Sequence, residues 1–272
     1  MISYDHRVKA EIWEYAVDSA PEGIDSSVPN VARMYDYYLD GKDNFAADRE
    51  AAERIMKLFP NTKDSAQQNR GFLRRAVQAV TASGVDQIVD LGAGLPTQGN
   101  THEIAGGARV VYVDYDPVVC THGRALLARG QNVDFLEADA RKPEELLALL
   151  EPMIDFSRPV AFMTLALLHF IPDDSAYGIV AKLRDVSAPG SHLILSHGID
   201  DKPDTTPEAL QVYNQATASL NLRTHEEILR FFDGYELLEP GLVYPKDWRP
   251  DADGPRSAIR SNPGYAGVGR KL

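Results

Sequence analysis

Five short apolar runs, interleaved with helical patterns, constrain the fold of this chain more than any other feature. They read QIVDL (87–91), RVVYVDYD (109–116), NVDFLEAD (132–139), PVAFMTLALL (159–168) and SHLILSH (191–197). Between them lie TQGNTHEIA, PVVCTHGRALLARG, PEELLALLE and PDDSAYGIVAKLRDV, each with helix-opening or helix-closing residues. Asn100 and Glu103 have capping-box spacing, Pro117 opens the second of these helices, and Gly130 is expected to close it. PVAFMTLALL is too apolar for an edge and reads as a central strand. THEEILRFFDG adds a capped helix, and YELLEPGLVY and GYAGVGRKL add closing strands. Strands alternating with helices build a mostly parallel sheet covered on both faces. A sheet of that kind binds ligands beyond the carboxyl ends of its strands.

The first 83 residues have a different texture. Residues 1–28 are mixed and acidic, run into the breaker cluster PEGIDSSVPN, and read as an arm. VARMYDYYLDG is a helix expected to stop at Gly41, and NFAADREAAERIMKLFP a second that ends at Pro60. In SAQQNRGFLRRAVQAVTASG the apolar stripe Ala66, Leu73, Ala76, Val77 and Val80 marks a third, closed by Gly84. The expected division is therefore 1–83 as arm and helical cap, and 84–272 as an α/β, Rossmann-like domain. A net charge of -12 argues against a nucleic-acid partner. One cysteine, Cys120, leaves no internal disulfide framework. No apolar run approaches a membrane span and no signal peptide is apparent, so the expected location is the cytoplasm. No motif sets an oligomeric state.

The glycine loop narrows the ligand. VDLGAGLPTQG lacks the lysine of a triphosphate loop, and Thr97 stands where a dinucleotide fingerprint needs its third glycine. Each of the first three strands carries an acid at its carboxyl end: Asp90, Asp114 and Asp139. Such a row suits a ligand with hydroxyls, an exocyclic amine and an ammonium group, and no phosphate. S-adenosylmethionine fits that description. On this reading Asp90 lies near the ammonium, Gly92 and Gly94 let the backbone approach, Asp114 holds the ribose, and Asp139 and the Ala140 amide meet the adenine. Ala93, Tyr115, Arg141 and Leu165 complete the expected cofactor set on the strand ends.

The combined pattern VDLGAG, VYVDYDP, EADAR, LALLHFIPDD and APGSHLILSH resembles the Rossmann-like class I methyltransferases. It is closer still to one bacterial family of S-adenosylmethionine-dependent methyltransferase-like proteins, long catalogued as a domain of unknown function. The GLPT extension of the glycine loop, VYVDYDPVV, GSHLILSH and the N-terminal ARMYDYYLDGKDNFAADREAAE carry that likeness, over roughly 30–249. The resemblance implies a seven-stranded sheet in the order 3-2-1-4-5-7-6, the last-numbered strand antiparallel. It supplies no substrate.

Several residues keep two roles open. Asp116 serves as ligand contact or as N-cap of the helix at Pro117. MYDYYLDGKDNF is a plain amphipathic helix or a lid, in which Tyr37, Lys42 and Asn44, with Arg70, reach the cofactor and Tyr35 or Tyr37 faces the sulfonium. His169 and His197, after the fourth and fifth strands, are structural or act as the catalytic base. Asp173 and Asp174 with His169 form a metal site or, the better fit, start a helix after Pro172; no metal is expected. The chain thus reads as a methyltransferase acting on a small molecule. The alternatives are a cofactor-binding regulatory or interaction protein without catalysis, and a nicotinamide-dependent dehydrogenase.

Overall fold

The computed structural model describes residues 25–96, 99–126, 132–199, 207–251 and 264–272. The expectations for the arm over residues 1–24, for Thr97 and for Gly130 lie outside the described residues. Among the described residues three N-terminal helices come first: α1 (Val31–Tyr38), α2 (Ala46–Leu58) and α3 (Thr62–Ala82). The alternating part follows as β1 (Gln87–Leu91), α4 (Thr101–Ile104), β2 (Arg109–Asp114), α5 (Pro117–Leu126), β3 (Val133–Glu137), α6 (Pro143–Leu150) and β4 (Ala161–Leu165). It continues with α7 (Asp173–Val186), β5 (His192–Gly198), α8 (Pro207–Asn214), α9 (His225–Leu229), β6 (Tyr235–Leu237) and β7 (Gly264–Lys271).

The strands form one seven-stranded sheet in the order β3-β2-β1-β4-β5-β7-β6. β7 runs antiparallel to both β5 and β6, and β1 to β5 pair in parallel. All five residues of β1 are buried, because helices cover both faces of the sheet. Successive side chains alternate between those faces. Val89 and Leu91 pack with Leu146, Leu150 and Leu183 of α6 and α7, whereas Ile88 packs with Phe72, Ala76 and Val80 of α3. The same alternation puts Asp90 on the α3 side.

Three expectations need correction. The residue that turns the chain after α1 is Asp40, at φ 59°, and not Gly41. Gly41 is required for a different reason: a Cβ there would overlap the Asp36 carboxylate. PVAFMTLALL is shorter as a strand than its apolar length suggests. It ends at Leu165 because Ala166 takes φ 52°, and Leu168–Phe170 coils into a single 3-10 turn. The helix α8 has no counterpart in the sequence reading, although Pro207 at its start and buried Ala209 and Val212 at i, i+3 spacing are its signals.

α3 links the two parts of the molecule. Its Phe72, Leu73, Ala76, Val77 and Val80 belong to the sheet core, while Ala66 near its start packs with Met34, Tyr38, Ala52 and Ile55 of the cap. A boundary at 83/84 therefore leaves outside the sheet domain a helix that packs on the sheet.

Candidate functional site

At the carboxyl ends of β1, β2, β4 and β5 the chain encloses a cavity of about 370 Å³, roofed by α1, α2 and the start of α3. Its volume lies in the range of small-molecule sites. The glycine loop forms one wall. Gly92 and Gly94 adopt φ 67° and 66°, and the amides of Gly92 and Ala93 both donate to the Val113 carbonyl, at 2.9 and 3.1 Å. Only glycine holds such angles without strain. A Cβ at Gly92 would come 2.7 Å from Leu167 Cδ1, so a side chain would close the loop onto the wall.

Asp114 ends β2 beneath this loop, only 8% exposed. Its Oδ2 accepts from the Gly94 amide at 3.0 Å and its Oδ1 from the Asp116 amide at 3.0 Å. Burial pushes its pKa up, against the pull of those two amides. Each oxygen keeps a further acceptor site, so the carboxylate is preset to take two neighbouring hydroxyls. Asp90 is buried beside it, accepts from Thr101 Oγ1 at 2.7 Å, and has its pKa raised by burial to about 6. Arg70 lines the same end, with its Nη2 donating to the Gly99 carbonyl at 2.8 Å. Asn69, next to it, presents a buried Oδ1 with no hydrogen-bond donor while its Nδ2 donates to the Tyr35 hydroxyl at 3.0 Å. An orphan acceptor, a buried acid and a cation at one spot fit an ammonium group beside a carboxylate.

At the opposite side of the strand ends, Asp139 is gripped by Arg141. Arg141 Nε and Nη2 both donate to it at 2.8 Å, which holds the Asp139 carboxyl below its usual range. The Arg141 guanidinium in turn lies 5.0 Å from the centre of the half-exposed Tyr115 ring. Asp116 takes the capping role and adds a bond to the cap. Its Oδ1 caps α5 by accepting from the Val118 and Val119 amides at 2.8 and 3.2 Å, and its Oδ2 accepts from Asn30 Nδ2 at the start of the cap.

The cavity brings together Asp90, Gly92, Ala93, Gly94, Asp114 and Tyr115. It also takes in Asp116, Asp139, Ala140, Arg141, Leu165 and Arg70. Tyr37 and Asn44 do not line it. The Tyr37 hydroxyl donates to Glu53 at 3.1 Å, and the Lys63 ammonium lies 5.4 Å from its ring, so it belongs to the outer surface of the cap. Asn44 Nδ2 donates to Asp36 Oδ2 at 2.8 Å and to the Gly41 carbonyl at 3.1 Å, closing the turn after α1. The polar density around Gly41 therefore satisfies buried Asp36. Of the two candidate tyrosines it is Tyr35 that lines the cavity. Asn69 and Tyr213 were missed; Asn69 sits one residue before Arg70 and shares its face of the wall.

The two histidines also line the cavity, with their lone pairs engaged. His169 Nδ1 accepts from the Gly198 amide at 3.1 Å. His197 Nε2 lies 2.6 Å from Arg223 Nη1, a permanent donor, while its Nδ1 donates to the Gly198 carbonyl at 2.6 Å. Neither ring has a nitrogen left to take a proton, and burial drives the His197 pKa down to about 4. Asp173 opens α7 and pairs with Arg223 at 2.7 Å. Among the described residues no cluster of three or more His, Cys, Asp or Glu is placed to hold a metal ion, and no helix is long and apolar enough to cross a membrane.

Comparison with known proteins accounts for this arrangement. The model of a family described as S-adenosyl methyltransferase matches residues 17–272. A crystal structure from Thermobifida fusca YX, of a protein assigned as a methyltransferase, is 44% identical; the match covers 92% of this chain and 98% of that one, with a TM-score of 0.83. A DUF574 family protein from Streptomyces avermitilis is 37% identical over 91% of this chain and 99% of that one, with a TM-score of 0.85. The magnesium protoporphyrin IX methyltransferase of Synechocystis, solved with S-adenosylmethionine, shares the fold at 13% identity and a TM-score of 0.52, over 93% of this chain and 100% of that one. The chain belongs to the S-adenosyl methyltransferase family.

Proposed function

We propose that this member of the S-adenosyl methyltransferase family transfers the methyl group of S-adenosylmethionine to a small-molecule acceptor held under its helical cap. The carrying observation is the single cavity in which the glycine loop, Asp90 and Asp114 meet the cap residues Tyr35 and Asn69. When bound, the cofactor supplies a methyl group already activated on a positively charged sulfur. The protein's part is then alignment and exclusion of water.

Each wall has a task in this reading. Asp114 accepts from the two ribose hydroxyls. Asp90 and Asn69 Oδ1 accept from the ammonium, and Arg70 donates to the neighbouring carboxylate. Tyr115, stiffened by Arg141 over its ring, offers a flat face to the adenine, with Asp139 and the Ala140 amide at its edge. Tyr35 presents its ring at the cationic end, an attraction worth about 0.5–2 kcal/mol. α1 and α2 keep water from the reacting atoms, residues 30–58 acting as the lid beside the start of α3. With both histidines neutral and engaged, the acceptor arrives in its nucleophilic form, without help from a protein base.

Calorimetry tests the binding half: S-adenosylhomocysteine should bind at least about tenfold more tightly than NAD, a difference of about 1.4 kcal/mol. Equal or reversed affinities would remove the methyltransferase reading. Transfer of labelled methyl from the cofactor into the small-molecule fraction of a bacterial extract tests the chemistry. The engaged histidines favour one second reading, a protein that binds the cofactor for regulation and transfers nothing. Tight S-adenosylhomocysteine binding with no labelled product of any size would establish it. Label appearing only in protein or nucleic acid would overturn the small-molecule acceptor.

A further inference from the structure

The cavity does not end with the cofactor residues. Beyond them its lining passes to Tyr38 and Phe59 from the cap, Phe170 after β4, Tyr213 of α8, and Leu222. Phe170 and Tyr213 pack against each other with their ring centres 5.8 Å apart and form one aromatic part of this lining. These rings leave an apolar chamber continuous with the cofactor site.

The charges around it restrict what can enter. Among the described lining residues the cations are Arg70 and Arg141, and both serve the cofactor end, bonded to the Gly99 carbonyl and to Asp139. No lysine lines the cavity among those residues, whereas five aspartates do: Asp36, Asp90, Asp114, Asp116 and Asp139. An anion would enter a negative field with no cation to meet it, and would lose its hydration to an apolar wall. A cation fares no better. Asp36, the one acid contributed by the cap, already accepts from the Asp43 amide at 3.0 Å and from Asn44 Nδ2 at 2.8 Å. The sulfonium of the bound cofactor adds repulsion.

Besides the Tyr38 and Tyr213 hydroxyls, the described residues lining this chamber include one with an N–H to offer, His169. Because His169 Nδ1 accepts from the Gly198 amide, its proton sits on Nε2. The neighbouring His197, whose ring centre is 5.3 Å away, holds that state. It is pinned by Arg223, a fully buried cation also bonded to the Leu168 and Ile171 carbonyls at 2.9 and 3.0 Å. Burial above all, with the Arg223 cation behind the two rings offset in part by its Asp173 partner at 2.7 Å, disfavours a charge on His169. His169 therefore presents a permanent N–H donor.

We propose that this chamber is the methyl-acceptor site and that it selects uncharged aromatic molecules with one oxygen positioned to accept from His169 Nε2–H. The proposal rests on the methyltransferase reading given above, and the test separates the two. Full-length protein is saturated with S-adenosylhomocysteine and titrated at pH 7 with 2-naphthol, 2-naphthoate and 2-(aminomethyl)naphthalene. The neutral naphthol is expected to bind at least about tenfold more tightly than either charged probe. His169→Phe, which keeps a ring and removes the donor, should weaken 2-naphthol several-fold and leave 2-methylnaphthalene unchanged. His169→Gln, which restores an N–H, should recover part of the loss. Either charged probe binding as tightly as the naphthol would overturn the selectivity. Naphthol that fails to saturate, or binds equally to wild type and His169→Phe, would overturn the site. Failure of S-adenosylhomocysteine itself to bind would strike the methyltransferase reading instead.

Discussion

The cap and the sheet are held together by different physics, and the difference explains why the site lies between them. The sheet core is apolar on both faces, with Val89, Phe162, Leu150 and Leu193 at 0–1% exposure. Burial of that kind is strong and non-directional. The cap has a small apolar cluster around Met34, Ala52 and Ile55, organised by a buried carboxylate. Asp48, fully buried, accepts from Arg33 Nε at 2.7 Å and from the Asn30 and Phe45 amides at 2.8 Å each. Directional bonds of this sort fix where α1 and α2 stand with little apolar area to help. Asn30 then reaches across to Asp116, so the cap is latched two residues beyond the end of β2. The cap is thus placed by directional bonds and the sheet beneath it by apolar packing.

The largest test of this contrast removes the Asp48 carboxylate. Asp48→Ala strands a buried Arg33 and should cost about 3–5 kcal/mol. Hydrogen exchange is expected to speed up over residues 30–58 while β1 and β4 stay protected. Equal acceleration in both regions would mean that the cap and the sheet open as one unit. Leu150→Ala is the counterpart in the sheet core and should cost about 2–5 kcal/mol. Here the loss is global, read as a lower denaturation midpoint for every probe, cap included.

Next in size comes the junction. Asp114→Ala removes charge-assisted bonds worth about 1.5–3 kcal/mol, so S-adenosylhomocysteine should bind about 10- to 150-fold more weakly by calorimetry. Asp114→Asn should lose less, since one acceptor survives; a larger loss would point to a role for the charge itself. Asp90 sets function against stability. Its folded pKa, about 6, lies above the unfolded value, because burial disfavours the charge. Stability from this group is complete below about pH 4 and lost as pH rises through about 6. Asp90→Asn should therefore stabilise the apo protein at pH 8, on the order of 2 kcal/mol, and flatten its stability profile between pH 4 and 7. The same variant should weaken cofactor binding; gains in both would mean that Asp90 is not a ligand contact. The smallest effect belongs to Asp116→Ala, which removes the α5 cap and costs about 0.5–2 kcal/mol. Exchange near Asn30 should quicken with it. A larger loss of cofactor affinity here than in Asp114→Ala, at matched folded fraction, would move the ribose contact by one turn of the loop.

Much of this was legible in the residues. Alternating apolar and amphipathic runs are local patterns, and local pattern is enough to place β1 to β5 and their helices, because a strand buried on both faces has few other ways to be written. The acids at the strand ends were readable for the same reason: once the strands are placed, topology puts Asp90, Asp114 and Asp139 in one row. The reading failed where polar residues had two partners to choose from. Tyr37 and Asn44 share a segment with Tyr35, and their sequence spacing does not say which of them turns toward the cavity and which satisfies Glu53 or Asp36. Asn69 has nothing local to distinguish it from Gln68; its orphaned Oδ1 exists only once α3 lies against the strand ends.

The sequence by itself determined the alternation of strands and helices, the ligand-binding edge and the chemistry of the cofactor, since those follow from periodicity and from residue types at the ends of strands. The tertiary structure alone decided which face of the cap looks inward, that α3 belongs to the sheet, and that both histidines are spoken for. The reason is physical. Hydrogen bonds such as Arg223 to His197 and Asn30 to Asp116 join residues 26 and 86 positions apart, and a donor that distant leaves no mark on the local pattern of the residue it engages.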